Sequence, residues 1–336
     1  MAAPSLKGFE KTYQDWDLIC GNTGTCNMAG YPEYYSEHPV SILFTRSAGE
    51  QAPVSAQLAL LPEDVGNKTA EIILNGQSLG TFQNFSEEGI AKLSEKQTTE
   101  LLTALKGNAS IEVIFGEFKE KVSDKGAAAA MLKMDEFQQR LNTPSALIRQ
   151  GQEKHAVLAP QAAPKIDAVS VKNRQTTELK PGEKQFDAVL ALLRKSNRTN
   201  ENSEHYCYDL HKDDVWNKQI TLYPLTKGKV LAETTCIGGA YQYTDYYAVL
   251  DEKLSKVEQV LANKYNYADY DKNTHILKVK GSFKARGLGD CWSGQEAVWN
   301  GKTFIRTEEH TSGSCKGFAG GAWGGLPTFV SEINVK

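Results

Sequence analysis

Six cysteines constrain this chain more than any other feature. They fall into three near-neighbour pairs, Cys20 with Cys26, Cys207 with Cys236 and Cys291 with Cys315. Six thiols permit many connectivities, and local pairing is the simplest of them. None of the spacings is the short C-x-x-C that zinc sites favour. Closing these loops contributes about 2 kcal/mol for the first bridge and roughly 3.5 kcal/mol for each of the others. Cysteines paired along the chain place the protein in an oxidising compartment, periplasmic or secreted. Met1-Ala2-Ala3-Pro4 has neither the basic start nor the apolar stretch of a secretion signal. It reads as an initiator methionine ahead of a mature N-terminus, with the signal peptide removed.

A length of 336 residues is long for one core and suggests two domains. The net charge of -3 and the lack of a basic stripe exclude nucleic acid as the expected partner. No apolar run approaches the roughly 20 residues of a membrane-spanning helix, so no membrane span is expected.

The predicted fold class is α+β: a small mixed α+β domain over 8–150, a linker or crossing segment over 151–182, and a mainly antiparallel β domain over 183–336. One local disulfide staples the first domain and two staple the second. Residues 15–20 alternate as a strand should, and 40–46 and 54–61 are further strands. Ile72-Ile73-Leu74 followed by Asn75-Gly76 predicts a type I′ hairpin. Helices are predicted over 98–106, over 127–141 and, with Phe186, Val189, Leu190 and Leu193 inward, over 183–195. The Ala-Pro-rich run near 159–164 reads as linker. Beyond it the composition turns aromatic, with hairpins at Lys227-Gly228 and Asn300-Gly301.

Several runs together resemble a bacterial family called domain of unknown function 1176. They are Asp15-Trp16 leading to Cys20, Gly24-Thr25-Cys26, Ala29-Gly30-Tyr31, the helix Ala127 to Asp135 with Gln139-Arg140, Cys236-Ile237-Gly238-Gly239-Ala240-Tyr241, Arg286-Gly287-Leu288-Gly289-Asp290-Cys291 and Cys315-Lys316-Gly317. The resemblance covers nearly the whole chain, and the Arg-Gly-Leu-Gly-Asp-Cys run is its most specific part. It implies an exported bacterial protein with paired cysteines and no assigned activity. Through its Trp, Cys and helix pattern the first domain also resembles the invasion-associated locus B proteins.

No complete catalytic motif is legible, and no cofactor is expected. His205, Cys207, Asp209 and His211 sit two apart, so on a strand they share one face. His205, Asp209 and His211 are therefore metal-ligand candidates, although a Cys207 bridge removes the thiolate. Asp269, Asp271 and Asn273 match the start of a calcium loop, but Thr274 and Lys280 stand where Gly and Glu belong; a polar turn is the better reading. Gly313-Ser314-Cys315-Lys316-Gly317 has the outline of a nucleophile elbow without a downstream His. Asp290, Glu296, Asp245 and Glu233 are the members from which a hydrolytic carboxylate pair would be drawn.

Ten of the fourteen tyrosines and four of the five tryptophans follow residue 205, which makes this half the expected ligand surface. Tyr241, Tyr243, Tyr246, Tyr247, Trp292, Trp299 and Trp323 are its candidates, since flat rings with polar edges suit sugars or a partner protein. Arg286 and Asp290 bracket the Gly-Leu-Gly turn, as an ion pair shaping it or as polar contacts. The expected function is a non-catalytic binding or interaction module of the cell envelope, its partner an envelope protein or glycan. The alternative is an envelope hydrolase acting on glycan or peptide.

Overall fold

The computed structural model describes residues 6–65, 69–197, 206–212, 219–239 and 242–336. The chain is mostly antiparallel β with few helices, so strands carry more of the first half than a mixed α+β domain implies. Two compact units emerge. One comprises 1–163, 284–292 and 310–330; the other comprises 164–283, 293–309 and 331–336. The expected linear division is thereby corrected. Two late segments belong with the first unit, and they bring the Cys291–Cys315 disulfide into it.

The first unit holds two sheets. Strands β1 (Phe9–Tyr13), β2 (Trp16–Cys20), β3 (Cys26–Gly30), β4 (Val40–Arg46) and β5 (Val54–Leu60) form an antiparallel meander, and β8 (Ile90–Lys92) is added at the β5 edge. Strands β6 (Ala70–Leu74), β7 (Gln77–Phe82), β9 (Ile111–Phe115) and β10 (Phe118–Val122) form the second sheet in the order β10-β9-β6-β7. The β6–β7 turn is the type I′ expected from Asn75-Gly76, with φ of 50° and 82°.

Strands β2 to β4 are buried almost throughout instead of alternating, because both faces of the sheet are covered. Trp16, Leu18, Met28, Ile42 and Phe44 face the main core. Ile19, Ala29, Tyr31 and Leu43 pack against Phe318, Trp323 and Leu326 from the late segment. Gly30 lies opposite Trp16 in the β2–β3 register, where an added Cβ would come within 2.4 Å of the indole ring.

Helix α1 is the single turn Pro62–Val65, followed by α2 (Glu95–Ala104) and α3 (Ala127–Phe137). Helix α2 starts earlier than the apolar spacing indicates because Ser94 and Gln97 form a capping box. Helix α3 stops before Leu141 because Gln139 takes a left-handed φ of 55°. That turn buries Gln138 and Arg140, whose side chains bond backbone carbonyls of Gly24, Arg46, Gly49 and Glu50.

In the second unit α4 (Lys184–Ser196) buries Phe186, Val189, Leu190 and Leu193, as its period predicted, against a five-stranded sheet. That sheet runs Thr177–Leu179, Ile220–Pro224, Lys229–Gly238, Tyr243–Asp251, Val257–Val260 in spatial order. Residues of its other face, with Leu277, Val279 and Trp299, form a further core. The segment expected as linker is partly ordered structure: Lys165–Ala168 pairs in parallel with Glu332–Val335, and Thr177–Leu179 is the sheet edge. No helix among the described residues is long and apolar enough to cross a membrane.

Candidate functional site

The runs around Asp15 to Tyr31, Arg286 to Cys291 and Cys315 to Gly317 all belong to the first unit, whereas Cys236 to Gly239 belong to the second. Cys291 and Cys315 are joined, which ends the elbow reading of Gly313 to Gly317. Arg286 Nε donates to Asp290 Oδ1 at 2.7 Å, its Nη2 donates to Asp290 Oδ2, and the Gly317 amide donates to Asp290 Oδ2 at 2.8 Å. Asp290 is fully buried, and the Arg286 guanidinium holds its carboxyl below the usual carboxylate range. The pair therefore shapes the turn.

From β2 the Asp17 carboxylate grips the same loop. Its Oδ2 accepts the Ser314 amide at 2.6 Å and its Oδ1 accepts the Ser314 hydroxyl at 2.9 Å. Asp17 also raises the Tyr31 hydroxyl pKa, after burial as the leading cause. Lys316 meets Asp15 at 3.3 Å and donates to the Pro32 carbonyl at 2.8 Å. Gly317 comes so close to Ser36 that a Cβ would lie 2.6 Å from its carbonyl oxygen, and its φ of 95° is one that side chains resist.

What this cluster positions is the segment 32–36, one lip of a cleft of about 570 Å³. The other lip is the edge strand β10 and its continuation to Lys125. Tyr34 and Tyr35 stand on the first lip with 76% and 55% of their surface exposed, the two highest values among tyrosines apart from residues outside the description. The Arg286 guanidinium lies 5.9 Å from the Tyr35 ring centre, a cation–π distance. Lys125 pairs with Glu33 at 2.6 Å, and Lys119 and Lys121 share Glu112 at 2.7 and 3.5 Å. A second hollow of about 700 Å³ beside Glu50, Thr143 and His155 has no tyrosine or tryptophan in its wall.

A family model spans residues 10–330. The chain belongs to the family Protein of unknown function (DUF1176). This DUF1176 chain is similar to the uncharacterized protein YpfG of Escherichia coli (strain K12). The two are 22% identical over 345 residues, covering 96% of this chain and 92% of the relative. No solved structure matches it.

The DUF1176 structure redistributes the aromatic residues singled out in the sequence. Tyr246, Tyr247, Trp299 and Trp323 are buried and belong to cores, a correction to their place on a ligand surface. Periodicity reveals that a ring shares a face, but not that another layer covers the face. Trp323, for instance, donates from Nε1 to Ser41 Oγ at 2.9 Å under the first sheet. Trp292 is half-buried with its Nε1 donating to the Gly289 carbonyl. Tyr243 is 53% exposed, and Tyr241 lies outside the described residues. The adjacent pair Tyr34-Tyr35 was missed because it lies in a loop and has no period. Two neighbouring tyrosines after Gly30-Tyr31-Pro32 were the available signal.

The metal candidates separate. His205 lies outside the described residues, and Asp209 to His211 form a 3-10 turn instead of a strand, so the one-face alternation does not arise. Asp209 accepts the Gly238 amide at 2.8 Å and pairs with Lys212, while His211 meets the Asn197 amide at 3.0 Å. Among the described residues the group close enough to hold an ion is Asp290 with Cys291 and Cys315, whose sulfurs are already joined. Asp271 accepts three bonds from Asn273 and Thr274 and is pulled down to about 2, the polar turn expected in place of a calcium loop.

Of the four carboxylates, Glu296 pairs with Lys278 and Lys280 at 3.0 and 3.1 Å. Glu233 and Asp245 come together on adjacent strands, since Glu233 is opposite Tyr247 and Thr235 is opposite Asp245. Glu233 accepts from Tyr223 at 2.6 Å and from Tyr247. Burial, and then the charge of Glu233, push Asp245 up to about 7.

Proposed function

We propose that this protein is a non-catalytic binding module of the bacterial envelope, and that its ligand, an envelope protein or glycan, lies against Tyr34 and Tyr35. The observation that carries this reading is two adjacent, exposed tyrosines on a lip held by Lys316, Arg286 and the Cys291–Cys315 bridge. Exposed rings with polar tips stack on sugars or anchor a protein partner. A lip already fixed loses little conformational entropy on binding. Three disulfides support an oxidising compartment, periplasmic or secreted.

The Glu233–Asp245 pair favours a second reading, an envelope hydrolase with Asp245 as the protonated acid. Binding is preferred because the Tyr223 and Tyr247 hydroxyls already occupy both oxygens of Glu233, where a hydrolase would place water or substrate. Hydrolysis of envelope glycan or peptide that disappears in Asp245→Asn would reverse that preference.

The binding reading is tested with the immobilised Tyr34→Ala, Tyr35→Ala double variant in envelope extract. Retention is expected to weaken at least about tenfold relative to wild type. The thermal midpoint should barely move, because both side chains face solvent. Equal retention by the two proteins would remove the cleft as the ligand site.

A further inference from the structure

We infer that the open edge of β10 receives an extended peptide as an added strand, with acidic side chains above Lys119 and Lys121. The inference rests on the reading of the cleft as the ligand site and names the chemical class of what enters it. Phe115 and Phe118 flank a two-residue turn that opens on Gly116 with φ of 59°, the arrangement of a type II′ hairpin. In such a hairpin the flanking pair exchanges backbone bonds, and bonded and non-bonded pairs then alternate. Pairs 115/118, 113/120 and 111/122 therefore bond inward, while the amides and carbonyls of Lys119 and Lys121, opposite Ile114 and Glu112, face away from β9.

Ser123 continues that outward set, and its amide donates to the Tyr31 carbonyl at 3.0 Å. Trp16 fixes the same point, donating from Nε1 to the Ser123 carbonyl at 2.8 Å. Backbone pairing along the β10 edge thus involves Tyr31 and not the residues from Pro32 to Ser36, which touch β10 through a side chain, the Ser36 hydroxyl donating to Glu120 Oε1 at 2.7 Å. The opening between the two lips is the 570 Å³ cleft, lined by 119–125 on one side and 32–36 on the other. Among the described backbone bonds, none reaches the outward groups of Lys119 or Lys121.

An exposed edge of this kind is a template for another strand, and extended peptides use such edges with main-chain bonds for affinity and alternate side chains for selection. Lys119 and Lys121 project on the Glu112 face, two cations on one carboxylate. The surplus charge selects acidic residues at alternate positions of the incoming strand. A glycan would meet the tyrosines but has no amide row to match the edge.

The probe is an acetylated, amidated hexapeptide pool with glutamate at every second position and degenerate residues between. Amide hydrogen exchange of the whole protein is followed residue by residue with the pool at millimolar concentration. The Lys119 and Lys121 amides are expected to slow by about tenfold or more, and the inward Glu120 amide to stay unchanged. The same pool N-methylated at alternate amides should lose the effect. Lys121→Pro should also lose it while keeping its thermal midpoint, because proline is tolerated on an edge where the amide faces outward.

Unchanged exchange at Lys119 and Lys121, or equal slowing by the N-methylated pool, would overturn strand addition whatever else the cleft binds. The binding reading fails separately, through equal envelope retention by the Tyr34→Ala, Tyr35→Ala protein.

Discussion

Asp135→Ala will destabilise the first unit by about 3–5 kcal/mol, the cost of leaving a buried cation without its partner. Asp135 is wholly buried, and Arg46 is 2% exposed. Asp135 Oδ1 accepts from Arg46 Nη2 at 2.6 Å, while Oδ2 accepts the Leu147 and Ile148 amides at 2.7 and 3.0 Å. One carboxylate thus joins α3, β4 and the loop after α3. Arg140 is a second cation in the same interior, lowered to about 10 by burial and then by Arg46, with Asp135 acting against both. Removing the acid strands one guanidinium and two amides and leaves Arg46 and Arg140 repelling each other. Asp135→Asn keeps an acceptor and should lose less. The measurement is denaturant titration read through the exchange of β2 to β4 amides. A loss under about 1 kcal/mol would show the network to be worth no more than a surface pair.

Asp245 gives the second large effect, with a defined sign. Its carboxyl sits near 7 in the folded protein against about 3.9 in an unfolded chain. Across that window the folded state holds the proton more tightly, so stability rises as pH falls from about 7 towards 4 and is lost as pH climbs back. Moving the carboxyl from about 3.9 to about 7 corresponds to roughly 4 kcal/mol as a ceiling. The cause is visible in the fold: Asp245 is 7% exposed beside Glu233, and Tyr247, which also donates to Glu233, only partly offsets the burial and the Glu233 charge. Asp245→Asn should flatten this limb and exceed wild type in stability at pH 8. An identical pH slope in both proteins would place the titration elsewhere.

Local features were legible in the sequence because local chemistry decides them. Asn75-Gly76 forms its turn, α4 buries the four residues its period selects, and the cysteines pair with their neighbours. What escaped was long-range. Nothing near Phe318 or Trp323 signals that they return to cover Ile19 and Leu43, so the late segments read as part of a second domain. The covering also explains the missing alternation of β2, where Asp17 points inward to meet Ser314. The Pro-rich run near 160 read as linker, yet the Leu158 amide bonds the Gln138 carbonyl and the Gln161 amide bonds that of Thr23. At the candidate site, Asp15, Asp17, Tyr31, Arg286, Asp290 and Lys316 were visible as runs. Their common task, holding 32–36 beside β10, exists only once the chain has folded.

These runs build the cleft at Tyr34 and Tyr35 in which we propose the ligand lies. A photoreactive benzoylphenylalanine placed at position 35 or at position 243, with irradiation of the purified protein in envelope extract, separates that cleft from the second unit. Both native side chains are exposed to a similar degree, at 55% and 53%, so exposure alone does not favour either. A discrete crosslinked adduct from position 35, and none from position 243, is the predicted result. An adduct from 243 with none from 35 would rule out the cleft and return the ligand to the second unit.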